Sequence, residues 1–225
     1  MVIKRHIAYL FPVHTLDRAM HDVGIGGTTA FALLEQRQLQ GDVIRILAGE
    51  LRVVRVAWPV AWAMAIDAGG NALLRVAANG DISTVATFPS RPERAIDAVP
   101  TSVAVGRDGA YYVGELTGVP FSAGAARVYR VVPGEPPTIL ASGFKTILDL
   151  DFGPDGSLYV LEHASGPVFF NGPGRVIRVA SDGARTTVLD GLNRPTSLVV
   201  DWDGTIYVTN NGISAGAGEV LKLRP

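Results

Sequence analysis

Three stretches of the chain repeat one phrase: Ser102-Val-Ala-Val-Gly-Arg-Asp-Gly-Ala-Tyr-Tyr-Val113, Asp149-Leu-Asp-Phe-Gly-Pro-Asp-Gly-Ser-Leu-Tyr-Val160 and Ser197-Leu-Val-Val-Asp-Trp-Asp-Gly-Thr-Ile-Tyr-Val208. Their Asp-Gly pairs begin at 108, 155 and 203, so the intervals are 47 and 48 residues. Asp-Gly between two short apolar runs is a hairpin signal, because the turn needs positive φ and glycine takes it without a Cβ clash. Strand-turn-strand text at this period marks a β-propeller blade.

The rest of each blade follows from the same period. A third strand recurs as Arg127-Val-Tyr-Arg-Val131, Arg175-Val-Ile-Arg-Val179 and Glu219-Val-Leu-Lys-Leu223, with the polar and apolar alternation of a strand. A tight turn then leads to an outer strand, as in the segment 181–189. Upstream, Ala72-Leu-Leu-Arg-Val76, Asn79-Gly80 and Ile82-Ser-Thr-Val85 repeat third strand, turn and fourth strand. Residues 41–46 resemble 174–179, and 51–56 take the place of an outer strand.

The fold class is therefore all-β: a propeller of four-stranded antiparallel blades over residues 41–225, about four to five blades, incomplete or imperfectly closed. Clear blades run from residue 100 onward, and the blade near 58–87 is defective. Residues 58–66 can supply only one of its first two strands. Residues 1–40 match no blade, and 28–39 predict a helix with a Thr28 cap. The last blade ends at its third strand, so its outer strand is expected from elsewhere in the chain, 41–46 or 51–56 being the candidates.

Composition removes several functions. A net charge of −1 gives no electrostatic case for nucleic acid or an anionic membrane. The chain has no Cys, which excludes disulfides, thiolate metal sites and Cys nucleophiles. No 18-residue apolar run is present. The apolar run at 7–13 contains Pro12 and lacks a small-residue cleavage site after it, so the chain as written is expected in the cytoplasm. No Gly-x-x-x-x-Gly-Lys loop and no Gly-x-Ser-x-Gly elbow occurs.

Over residues 67–223 the chain resembles the ScyD/ScyE family of bacterial propeller proteins, which are similar in turn to NHL-type propellers. The likeness rests on Asp67-Ala-Gly-Gly-Asn-Ala-Leu-Leu-Arg-Val76, Val99-Pro-Thr-Ser-Val-Ala-Val-Gly106, Ala110-Tyr-Tyr-Val-Gly-Glu-Leu-Thr-Gly-Val-Pro-Phe121 and Tyr207-Val-Thr-Asn-Asn-Gly212. The resemblance implies a propeller, and a family usually longer and exported. The chain departs from it before Asp67, which together with the strand missing near 59–67 raises a truncated or frame-shifted upstream reading and, with it, a non-functional paralogue.

Loop lengths divide the blades into two faces. Tight turns (107–109, 154–156, 202–204, and those at 79–80, 134–135 and 182–183) fall on one. The long connections 114–126, 161–174 and 209–218 fall on the other, together with the interblade segments. Insertions gathered on one face mark a binding face. There Glu115, Glu162 and Asn210 each stand two residues after the second-strand Val, with Asp67 in the equivalent place and Asn211 next to Asn210. Asp149 aligns with Ser102 and Ser197 on the inner strands. Glu115, Asp149, Glu162 and Asn210 are an oxygen-rich set suited to Ca²⁺ or Mg²⁺, of the kind a lactonase-like propeller hydrolase uses. Such residues at strand ends also bond loop backbone, which is the alternative.

His163, the lone histidine of the repeats, is a weak candidate general base; a solvated loop histidine is the favoured reading. Phe121, Phe169 and Phe170 lie in Gly/Pro-rich loops and suit a flat organic or peptide ligand, unless each caps its own loop. The leading expectation is a binding or scaffold module with no cofactor, Ca²⁺ being the alternative. It is expected to take a small molecule, or a protein or peptide, on the long-loop face.

Overall fold

The computed structural model describes residues 30–33, 62–77, 79–90 and 97–224, which contain strands, turns and loops and no helix. Four antiparallel sheets follow one another as blades. The first orders β1 (Ala30–Leu33), β2 (Trp62–Asp67), β3 (Ala72–Ala77) and β4 (Ile82–Thr87). The second orders β5 (Pro100–Val105), β6 (Tyr111–Glu115), β7 (Ala126–Val131) and β8 (Thr138–Phe144). The third orders β9 (Ile147–Phe152), β10 (Leu158–Glu162), β11 (Gly174–Val179) and β12 (Arg185–Leu192). The fourth has three strands, β13 (Ser197–Val200), β14 (Ile206–Asn210) and β15 (Glu219–Leu223).

One expectation is corrected here. The helix expected over 28–39 is not what residues 30–33 form: they are strand β1, paired with β2 in the register Ala30↔Asp67 to Leu33↔Met64. The physical reason is the open edge of β2. Among the described residues this blade has one strand directly ahead of β3, β2 at Trp62–Asp67, and its inner place goes to another segment. Ala-Phe-Ala-Leu fits a strand as well as a helix turn, and the long-range ladder decides between them. The strands expected at 41–46 and 51–56, and with them the donor that would close the ring, lie outside the described residues.

The turns owe their shape to a shared device. Gly109, Gly156 and Gly204 sit at φ 76°, 82° and 83°. The preceding Asp108, Asp155 and Asp203 each accept the backbone N–H two residues on, from Ala110, Ser157 and Thr205, at 3.2, 3.0 and 2.9 Å. This is the local bond that makes Asp-Gly a turn former.

The second strands of the second and third blades are buried on both sides, so they send alternate residues to opposite neighbours. Tyr111 and Val113 of β6 enter the core shared with the first blade, and Tyr112 enters the core shared with the third. Leu158 and Val160 of β10 face the second blade, and Tyr159 and Leu161 face the fourth. At about 1.5–3 kcal/mol for each large apolar side chain buried, these three cores are the main source of stability.

Polar bonds at the innermost strands lock the blades together. The Thr101 hydroxyl donates to the Ile147 carbonyl at 2.7 Å, joining the second blade to the third. Asp149 Oδ2 accepts the Leu198 N–H at 2.9 Å, and Asp151 Oδ2 accepts the Val200 N–H at 2.8 Å. Two residues on along one strand match two residues on along the other, so β9 and β13 run parallel with carboxylates between them.

Candidate functional site

The loop asymmetry expected from the sequence is present. The hairpin turns between first and second, and between third and fourth strands, lie on one face. On the other lie 116–125, 163–173 and 211–218, with the crossings 145–146 and 193–196. The backbone differs too. All eight non-glycine residues of positive φ among the described residues lie on the long-loop side: Asn71, Val99, Thr117, Phe121, Thr146, Phe169, Arg194 and Asn211. Val99 (48°), Thr117 (72°) and Thr146 (44°) are β-branched, where this conformation is most costly. Thr146 is held there by its hydroxyl, which donates to the Ala164 carbonyl at 2.8 Å and accepts the Ala164 N–H at 3.1 Å.

Glu115, Glu162 and Asn210 end their second strands, as the repeat requires, and all are buried. Glu162 Oε1 accepts the backbone N–H of Lys145 at 2.8 Å, and Oε2 receives Arg175 Nε at 2.6 Å. Asn210 repeats the arrangement: its Oδ1 accepts the N–H of Asn193 at 2.8 Å, and its Nδ2 donates to Glu219 Oε1 at 2.9 Å. Glu219 sits opposite Asn210 in the ladder just as Arg175 sits opposite Glu162. Glu115 Oε1 accepts the Tyr129 hydroxyl at 3.2 Å. Asn211 extends the fourth-blade set, accepting Asn193 Nδ2 at 2.8 Å and donating to Glu219 at 3.1 Å. In the third and fourth blades these side chains clamp the chain as it crosses from the previous blade. That is the strand-end role weighed against metal binding above.

Asp149 is engaged elsewhere. Besides Leu198 it accepts the Ser197 hydroxyl at 3.0 Å and the N–H of Leu150 at 2.9 Å. Burial, with the Asp151 carboxylate nearby, pushes its carboxyl up to about 7, against the opposing pull of those three donors. Glu115, Asp149, Glu162 and Asn210 thus form separate bonded sets. Among the described residues no three His, Cys, Asp or Glu side chains gather closely enough to hold one metal ion. The four do not fit a shared Ca²⁺ or Mg²⁺ shell.

His163 is not a solvated side chain. It is buried, its Nδ1 lies 2.9 Å from the Pro195 carbonyl, and burial lowers its pKa. The Pro195 carbonyl and the Phe170 ring, edge-on at 5.0 Å, enclose the imidazole. Phe121 does not simply cap its own loop either: it stacks on Phe170 across the blade boundary, centroids 4.4 Å apart. The two loops are also sewn together by backbone bonds, Ala123 N–H to the Pro167 carbonyl at 3.0 Å and Phe169 N–H to the Pro120 carbonyl at 2.6 Å. Arg194 donates to the carbonyls of Phe170 and Gly172 and ties in the next crossing. Phe169 is left 55% exposed, with Val119, Val168 and Phe170 exposed around it.

Sequence reasoning missed two groups. Arg175 and Glu219 were legible as the first or second residue of each third strand, opposite the clamp residue. Lys145 was not singled out, although it is a lone cation between Phe144 and the next inner strand. Its side chain is 2% exposed, and its Nζ is buried without a hydrogen-bond partner.

The fold and face described above define a β-propeller, and comparison with solved structures agrees. No family model and no curated protein matches the chain. It is similar to the PQQ-bound aldose sugar dehydrogenase of Streptomyces coelicolor, at 16% identity and TM-score 0.55, covering 75% of this chain and 58% of that one. A gluconolactonase of Xanthomonas campestris aligns at 17% identity and TM-score 0.52, over 73% and 55% of the two chains. A streptogramin B lyase aligns at 14% identity and TM-score 0.50, over 86% and 61%. The chain thus spans less than two thirds of the length of each.

Proposed function

We propose that this protein is a propeller-based binding module, of the ScyD/ScyE type its sequence resembles, which acts through its long-loop face. One observation carries the reading. Two loops from neighbouring blades are bonded to each other and present an organised apolar platform, with Phe121 stacked on Phe170 and Phe169, Val119 and Val168 turned to solvent. A pre-ordered aromatic surface gains contact area on binding without an ordering cost, which suits a flat organic ligand. The test uses 2-naphthamide, a neutral planar probe. Titration should shift the amide resonances of residues 116–125 and 163–173, and Phe170→Ala should weaken binding about tenfold. Unmoved resonances in those loops would refute the platform.

A lactonase-like hydrolase is the second reading. It is favoured by Asp149, an inner-strand carboxyl whose pKa near 7 suits a general base. Hydrolysis of glucono-δ-lactone above background, abolished in Asp149→Asn with the fold intact, would support it over the first reading.

A further inference from the structure

Lys145 opens the crossing from the second blade into the third. Its neighbour Thr146 accepts the His163 N–H through its carbonyl at 3.0 Å, and its hydroxyl bonds Ala164, so the crossing 145–146 is fixed to the root of the loop that carries Phe170. The ammonium is buried, with no hydrogen-bond partner. Glu162 is near enough to act on it electrostatically, but its Oε1 is taken by a backbone N–H and its Oε2 by Arg175. Arg194 acts on both Lys145 and His163, and it is held in place by the Phe170 and Gly172 carbonyls. Lys145, Arg175 and Arg194 therefore set three cations around the carboxylate of Glu162, and Arg194 links them to the backbone of Phe170. Burying an ammonium without a partner is destabilising, and such a group persists where binding uses it.

We infer that Lys145, backed by Arg194, receives the carboxylate of an organic acid whose apolar body lies on the Phe121–Phe170 platform. This rests on the platform reading and names its ligand class: a planar or aromatic monocarboxylate. The positive excess selects an anion, and the stacked rings select its body. A charge-assisted bond in a dry site is strong enough to give about tenfold discrimination over a neutral isostere.

The experiment compares 2-naphthoate with 2-naphthamide by calorimetric titration on the wild type, Lys145→Met, Lys145→Gln and Lys145→Arg. The expected result is that the wild type prefers naphthoate by about tenfold. Lys145→Met and Lys145→Gln should bring naphthoate down to the level of naphthamide without altering naphthamide binding. Lys145→Arg should restore part of the preference. Removing the buried charge should leave the melting temperature unchanged or higher, whereas a purely structural lysine would lower it. Equal binding of both probes by the wild type would overturn the carboxylate inference and leave the platform standing. Binding of neither would overturn the platform and the inference with it. Loss of both probes in folded Lys145→Gln would make Lys145 a structural residue and also refute the inference.

Discussion

The two faces of this propeller solve the same backbone problem with different residues. On the turn face the chain reverses through glycine at positive φ, as at Gly80, Gly109, Gly134, Gly156, Gly183 and Gly204, and among the described residues no other residue type takes that conformation there. On the loop face glycine takes it too, at Gly124, Gly172 and Gly216, but so do Val99, Thr117, Phe121, Thr146, Phe169 and Arg194. Glycine makes a turn without strain. Side chains kept in a strained backbone are held by surrounding bonds, and they place a group where an unstrained chain would not. The turn face is built for closure of hairpins, and the loop face for presentation of side chains.

The sharpest way to break this contrast is to remove a clamp from the loop face. Glu162→Ala leaves Arg175 unpaired and the Lys145 N–H without its acceptor, and should destabilise by about 3 kcal/mol, measured by denaturant unfolding. A loss no greater than that of an ordinary surface substitution would show that the clamp is dispensable.

The next effect is pH dependence. The folded-state pKa of Asp149 is raised from 3.8 to about 7, so between those values the folded protein holds a proton that the unfolded chain releases. Stability from this group is complete below about pH 4 and is lost as pH rises through 7. His163 works the other way near its ordinary range, since burial lowers its pKa and the unfolded chain binds the proton first. The difference between wild type and Asp149→Asn isolates the aspartate: the wild-type melting temperature should fall relative to the variant from pH 4 to 7.5. Parallel curves would place the Asp149 titration elsewhere.

A pair of smaller substitutions tests the contrast in sign. Gly156→Ala meets no atom within 4 Å, so its cost is the backbone alone, about 1 kcal/mol. Phe169→Gly relieves a comparable strain at an exposed residue (φ 48°) and should leave stability level or raised while weakening naphthamide binding. Smallest of all, Asp155→Asn breaks an exposed pair with Arg178 on the turn face and should barely move melting at neutral pH. Because Arg178 lowers the Asp155 pKa to about 2, its contribution is present above pH 4 and fades only as pH falls through 2.

The repeat made the blades readable because each Asp-Gly turn encodes its own geometry within three residues. Strand β1 was not readable, since a four-residue apolar run carries no period of its own and its partner lies more than 30 residues away. The site divided along the same line. Glu115, Glu162 and Asn210 were found by position in the repeat. What they bond to depends on Arg175, Glu219 and the crossings at 145 and 193, which meet them only once the blades are stacked. His163 read as solvated because nothing local announces that Phe170 and Pro195 close over it.

The rungs at Asp149 and Asp151 have a consequence for the spacing of the blades. Strands joined directly by backbone bonds are held about 4.8 Å apart. Where a carboxylate is interposed, the gap is set by a side chain and its rotamer. Positions 102, 149 and 197 carry Ser, Asp and Ser at the same place in successive blades. Exchanging one for the other is a point mutation that changes the reach of a single spoke. The distance between neighbouring inner strands can therefore be retuned one blade at a time, without a new strand or a longer loop.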